Sequence, residues 1–98
     1  MRHAPELADL QTGLLDAPGI TDRALREAAL RGPSAPEPWS AYVEKVREAS
    51  HRVTGRDVDA MVAAAGSEDA VFEMTLAAAV GAASERLDVG LRALSVAG

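Results

Sequence analysis

The 98 residues contain no cysteine. Disulfide stapling, thiol nucleophiles and cysteine-ligated metals are therefore excluded as sources of stability or chemistry. Aromatic residues are almost as scarce, Trp39, Tyr42 and Phe72 being the three in the chain. Hydrophobic residues make up 48% of the sequence, yet many of them are alanines, which cover little area each, so the expected core is thin. A thin core in a short chain without staples favours stabilisation by self-association. No apolar run approaches the roughly 18 to 20 residues that cross a bilayer. The longest, Met74 to Ser84, is alanine-rich and stops at Glu85-Arg86, so no membrane partner is expected. The first residues, Met1-Arg2-His3-Ala4-Pro5-Glu6, lack the apolar centre of a signal peptide, and cytoplasmic retention is the expectation. Fifteen acids against ten bases give a net charge of -5, a field that repels phosphate backbones and argues against nucleic acid as a partner. The bases are scattered, among them Arg23, Arg26 and Arg31 in one segment and Lys45, Arg47, Arg52 and Arg56 in another, and are interleaved with acids as on solvated helix faces.

What is present is helical periodicity within one domain spanning 1–98. Leu7, Leu10, Leu14 and Leu15 make a short amphipathic helix after Pro5, broken at Asp16-Ala17-Pro18-Gly19. Thr21 is the expected N-cap of the next helix, with Ile20 stapled onto Leu25, and Gly32-Pro33 ends it. Residues 32–38, GPSAPEP, read as a stiff extended connector. A third helix from about Pro38 gathers Trp39, Tyr42, Val43, Val46, Ala49, Ser50 and Val53 on one face. Thr54 and Asp57 form a capping box for a fourth helix, which ends at Gly66. Ser67, Glu68 and Asp69 then open a last helix running to about Ser95, a rod on the order of 40 Å that Gly81 and Gly90 could bend. Around it, Phe72, Leu76, Ala79, Val80, Ala83, Leu87, Leu91 and Leu94 form one apolar stripe, while Val71, Ala78, Val89 and Val96 form another on the far side. Four short helices cannot cover both stripes over that length, so a homo-oligomer through the C-terminal helix is expected, the small residues of 76–84 admitting a neighbouring helix closely.

No catalytic constellation declares itself: there is no phosphate-cradling glycine loop, zinc-binding HExxH or nucleophile elbow. Two candidates remain. Glu73, between Phe72 and Met74 at the margin of the main stripe, would have its pKa raised by partial burial and so suit proton transfer. Its structural alternative is an ion pair with Arg86 or Arg47. His51, near the end of the third helix, is the weaker candidate as general base, against an ordinary surface role in which a protonated imidazole favours the helix C-terminus. His3 near the chain start has no metal-site spacing behind it, and no metal or cofactor is expected. Trp39 and Tyr42 could line a pocket for a small ligand or belong to the core.

The segment VTGRDVDAMVAAAGSEDAVFEMTLAAAVGAASERLDVGLRAL, from about Thr54 to Leu94, resembles the helical repeat of the carboxymuconolactone decarboxylase and AhpD-like alkylhydroperoxidase superfamily. The likeness rests on Ala65-Gly66, the restart at Ser67-Glu68-Asp69, Glu73 after a hydrophobic residue, and the small-residue helix closing on Arg86-Leu87. It implies an all-α, AhpD-like fold that assembles through helix packing. Peroxidase members carry a CxxC pair with a following histidine; with no cysteine here, thiol peroxidase activity is not implied. The decarboxylase branch works by acid-base chemistry, but its catalytic histidine has no matching position, His51 preceding the segment. The expectation is thus an all-α bundle of about five helices with a long C-terminal helix. Three readings of its role stand: a non-redox binding or accessory oligomer, a cofactor-independent acid-base enzyme on a small carbonyl or lactone compound, and a structural or regulatory helical module.

Overall fold

A computed structural model describes Asp9 and residues 11–15, 19–32 and 35–97, residues 96 and 97 by backbone alone. The expected positions Leu7, Leu10, Pro18 and His3 lie outside the described residues. Those described are all-α: α1 (11–15), α2 (Arg23–Arg31), α3 (Ser40–Ala49), α4 (Gly55–Ala65) and α5 (Glu68–Ala97), with a 3-10 turn at Ser50–Arg52. At 1.5 Å per residue the 30 residues of α5 run about 45 Å, close to the 49 Å long axis of the molecule. α2, α3 and α4 each pack on it, so α5 is the spine of the fold.

The local punctuation follows from short-range chemistry. Thr54 Oγ1 accepts from the Asp57 N–H at 3.2 Å while Asp57 Oδ2 accepts from the Thr54 N–H at 2.9 Å, the expected reciprocal cap. Gly66 closes α4 in the left-handed region at φ 75°, where a Cβ would crowd the following carbonyl. Ser67 Oγ accepts from the Ala70 N–H at 3.1 Å and opens α5. Lys45 Nζ reaches Asp57 Oδ2 at 2.8 Å and ties α3 to the same cap.

Several local expectations are corrected. Thr21 is not the N-cap of α2; Asp22 holds that place without a side-chain bond, because Thr21 is buried and its amide and hydroxyl are taken by Glu73 across the molecule. Ile20 is 64% exposed, so there is no staple. The connector turns rather than extends: Ala35 N–H donates to the Gly32 carbonyl, Trp39 N–H donates to the Pro36 carbonyl, Ala35 is buried, and the Glu37-Pro38 peptide is cis. α3 consequently begins at Ser40, and the chain leaves its helical path after Ala49, which puts Ser50 in the 3-10 turn and in solvent instead of on the apolar face.

The core lies between α3 and α5. Trp39, Tyr42, Val43 and Val46 pack against Val71, Met74, Ala77 and Ala78, with Ala29 of α2 and Met61 of α4 closing the sides. Val43 and Met74 are the largest fully buried side chains. The Thr75 hydroxyl donates to the Val71 carbonyl at 2.6 Å, so the Tyr42 phenol is the donor in its 2.7 Å bond to Thr75. The small residues of α5 serve this packing first. A Cβ built on Gly81 would lie 1.9 Å from the Leu30 carbonyl oxygen, so the glycine is where the end of α2 comes in against α5, and not a point where α5 breaks.

Candidate functional site

Glu73 projects from the second turn of α5 toward the chain just before α2. Its Oε2 accepts from the Ile20 N–H at 2.8 Å; its Oε1 accepts from the Thr21 N–H at 2.9 Å and from the Thr21 hydroxyl at 2.7 Å. Arg26 Nη1 stands 3.8 Å from Oε1. Burial on its own pushes the Glu73 carboxyl up, but the bonds from Ile20 and Thr21 together with the Arg26 charge outweigh it and hold the pKa below its ordinary 4.5. The expected upward shift is corrected by this arrangement: the side chain is half-buried and faces donors rather than apolar groups. The expected partners are corrected as well, since Arg26 fills the place proposed for Arg86 or Arg47.

Arg26 is itself buried. Its Nε donates to the Leu14 carbonyl at 2.9 Å, Nη2 to the Leu15 carbonyl at 3.1 Å, and Nη1 to the Thr21 carbonyl. One guanidinium thus gathers the end of α1, the approach to α2 and the carboxylate on α5. Arg47 does the same work further along α5. It is buried, donates to the Leu30 carbonyl at 2.6 Å and pairs with Glu85, while Arg86 Nη2 donates to the Arg47 carbonyl at 2.8 Å. Neither arginine sits on a solvated face as the charge pattern suggested. Each fits because a helix C-terminus or a turn leaves carbonyls without intrahelical partners, and a guanidinium carries several donors to meet them.

His51 lies exposed in the 3-10 turn, and none of the Glu73 bonds reaches it. The two sequence candidates are therefore not joined into one site. Trp39 and Tyr42 are core residues, each 6% exposed. A groove of about 390 Å³ runs past Ile20, Thr21, Leu25, Trp39, Ala65 and Ala70, and Glu73 is not among the residues that line it. A second groove, about 500 Å³, runs between α2, α3 and α5 over the Arg47 and Glu85 pair. No group of three or more His, Asp or Glu among the described residues could hold a metal ion. No helix among them is long and apolar enough to cross a membrane.

The surface of α5 opposite the core is of a different kind. Phe72 is 67% exposed, Leu76 37% and Leu94 62%, and Ala79 and Ala83 between them are exposed too. Most of the stripe read as the main apolar face of this helix thus looks outward, with Leu87 and Leu91 half-buried and Val80 buried. The face carrying Val71 and Ala78, extended by Ala70, Met74, Ala77 and Gly81, is the one that meets α2 and α3. Among the described residues, one side of this spine is covered and most of the other is exposed. No protein-family model, curated protein or solved structure matches the chain.

Proposed function

We propose that this protein is a non-catalytic helical assembly subunit, AhpD-like in building its oligomer from helix packing, whose working surface is the exposed stripe of α5. The observation that carries this reading is the stripe itself, an apolar band of exposed Phe72, Leu76, Ala79, Ala83 and Leu94 with half-buried Leu87 along a 30-residue helix. Large contiguous apolar surface exposed on a small protein marks a place where something binds. Its placement on an unbroken helix suits another helix. A second copy of the chain satisfies the need of a thin alanine core for further burial.

The bonding at Glu73 supports the non-catalytic side of the reading. An ionised carboxylate that already accepts from three donors is a clamp holding 20–26 against α5, and it has little basicity to offer a substrate. The test is light-scattering mass in solution. The wild-type chain is expected at twice the mass of one chain or more, and Leu76→Arg, which places a charge in the middle of the stripe, at the mass of one chain with unchanged helicity. Equal masses for the two proteins would sink the reading.

A further inference from the structure

The stripe has an order as well as an area. Asp69, Phe72, Leu76, Ala79, Ala83 and Arg86 recur at alternating spacings of three and four residues, the seam that two helices share when they pack along their length. Along the seam the chemistry is graded. The N-terminal end is acidic, Glu68 and Asp69; then come the two large residues, Phe72 and Leu76, then the two small ones, Ala79 and Ala83, then the cation Arg86. All of them are exposed in the single chain.

Resting on the reading of α5 as the assembly surface, we infer that it pairs antiparallel with α5 of a second copy, in the register that sets Asp69 against Arg86, Phe72 against Ala83 and Leu76 against Ala79. Each pairing sums to the same residue number, so a single two-fold axis between Ala77 and Ala78 generates all of them, and each occurs twice. Large residues then meet small ones at every level, which keeps the interaxial distance uniform. Charges of opposite sign meet at both ends. A parallel, in-register pair does the reverse: acid faces acid, Arg86 faces Arg86, and Phe72 on Phe72 would hold the helices apart where Ala79 and Ala83 need them close. Antiparallel pairing also sets the positive end of each helix dipole beside the negative end of the other, which favours the same arrangement. Arg86 can serve both purposes, because its bond to the Arg47 carbonyl uses one nitrogen, Nη2.

The test uses variants that repel themselves and fit each other. Asp69→Arg sets cation against cation in its own dimer, and Arg86→Glu sets acid against acid; mixed, the two chains restore both ion pairs. Reversing two exposed pairs is expected to weaken each self-dimer about tenfold, with the mixture returning close to wild-type affinity, read by energy transfer between labelled chains. Since Arg86→Glu also removes the bond to Arg47, the size pair gives an independent reading at exposed positions alone. Ala83→Phe clashes with Phe72 in its own dimer, Phe72→Ala leaves a gap in its own, and the two together fill the seam. Preferential mixed dimers in both sets are the expected result. A dimeric wild type whose mixed variants show no preference for each other would overturn the register and leave the assembly reading standing; a monomeric wild type would overturn both.

Discussion

Glu73 illustrates how far a residue's role depends on contacts distant in the chain. Its position at the edge of an apolar stripe was legible in the sequence, and from that alone burial and a raised pKa followed. The donors that reverse the sign come from Ile20 and Thr21, more than fifty positions away, and no local pattern announces them. Arg26 and Arg47 were illegible for the same reason, because a buried arginine in sequence looks like any charge on a helix that alternates acids and bases. The lowered pKa has a consequence for stability. The unfolded chain takes up a proton at Glu73 near 4.5 whereas the folded chain resists it, so this carboxylate contributes stability above that pH and loses it as the pH falls through the lower folded-state value. Denaturant unfolding of the wild type between neutral pH and pH 3 is expected to show this loss, and Glu73→Gln a smaller dependence over the same window. Glu73→Ala, which strands the Thr21 donors, is expected to cost about 1–3 kcal/mol at neutral pH. An alanine variant as stable as wild type would show that the clamp does not hold the chain.

Among the elements, those whose signals are local were read best. The capping box at Thr54 and Asp57, the left-handed Gly66 and the Ser67 start of α5 each depend on a few neighbouring residues, and each stands where the sequence put it. Thr54→Ala is expected to destabilise by about 1 kcal/mol in thermal melts. α5 was read well in its length and less well in its faces. Its apolar residues are spread around the whole helix, and the sequence made the side of Phe72, Leu76 and the leucines the main stripe without saying which side the chain's own helices cover. Close approach selected otherwise: α2 and α3 settle on alanine and glycine, where backbones can meet, and Met74 fills what remains. The two glycines of α5 separate these effects. Gly81→Ala drives a methyl into the Leu30 carbonyl and is expected to cost about 1–3 kcal/mol. Gly90→Ala meets no atom within 4 Å and is expected to stabilise by up to about 1 kcal/mol, through helix propensity alone. Equal effects at the two sites would contradict the packing of α2 on α5.

At the scale of the whole molecule, an all-α fold with a long C-terminal helix was legible because periodicity and proline breaks dominate the sequence. So was the mismatch between the length of that helix and the few short helices available to cover it. The path of the connector was not, since the turn at 37–39 and the burial of Ala35 depend on how α2 and α3 meet. One side of α5 binds the rest of the described chain while most of the other is exposed, and the proposed assembly rests on that exposed side. The most direct measurement is sedimentation equilibrium of the wild-type chain over a range of micromolar concentrations, beside Phe72→Ser, whose side chain lies outside the folded core. A wild type that associates reversibly, with a serine variant that stays a single chain at the same thermal stability, is the predicted result. A wild type that sediments as one chain across the whole range, with α5 fully helical, would contradict the account.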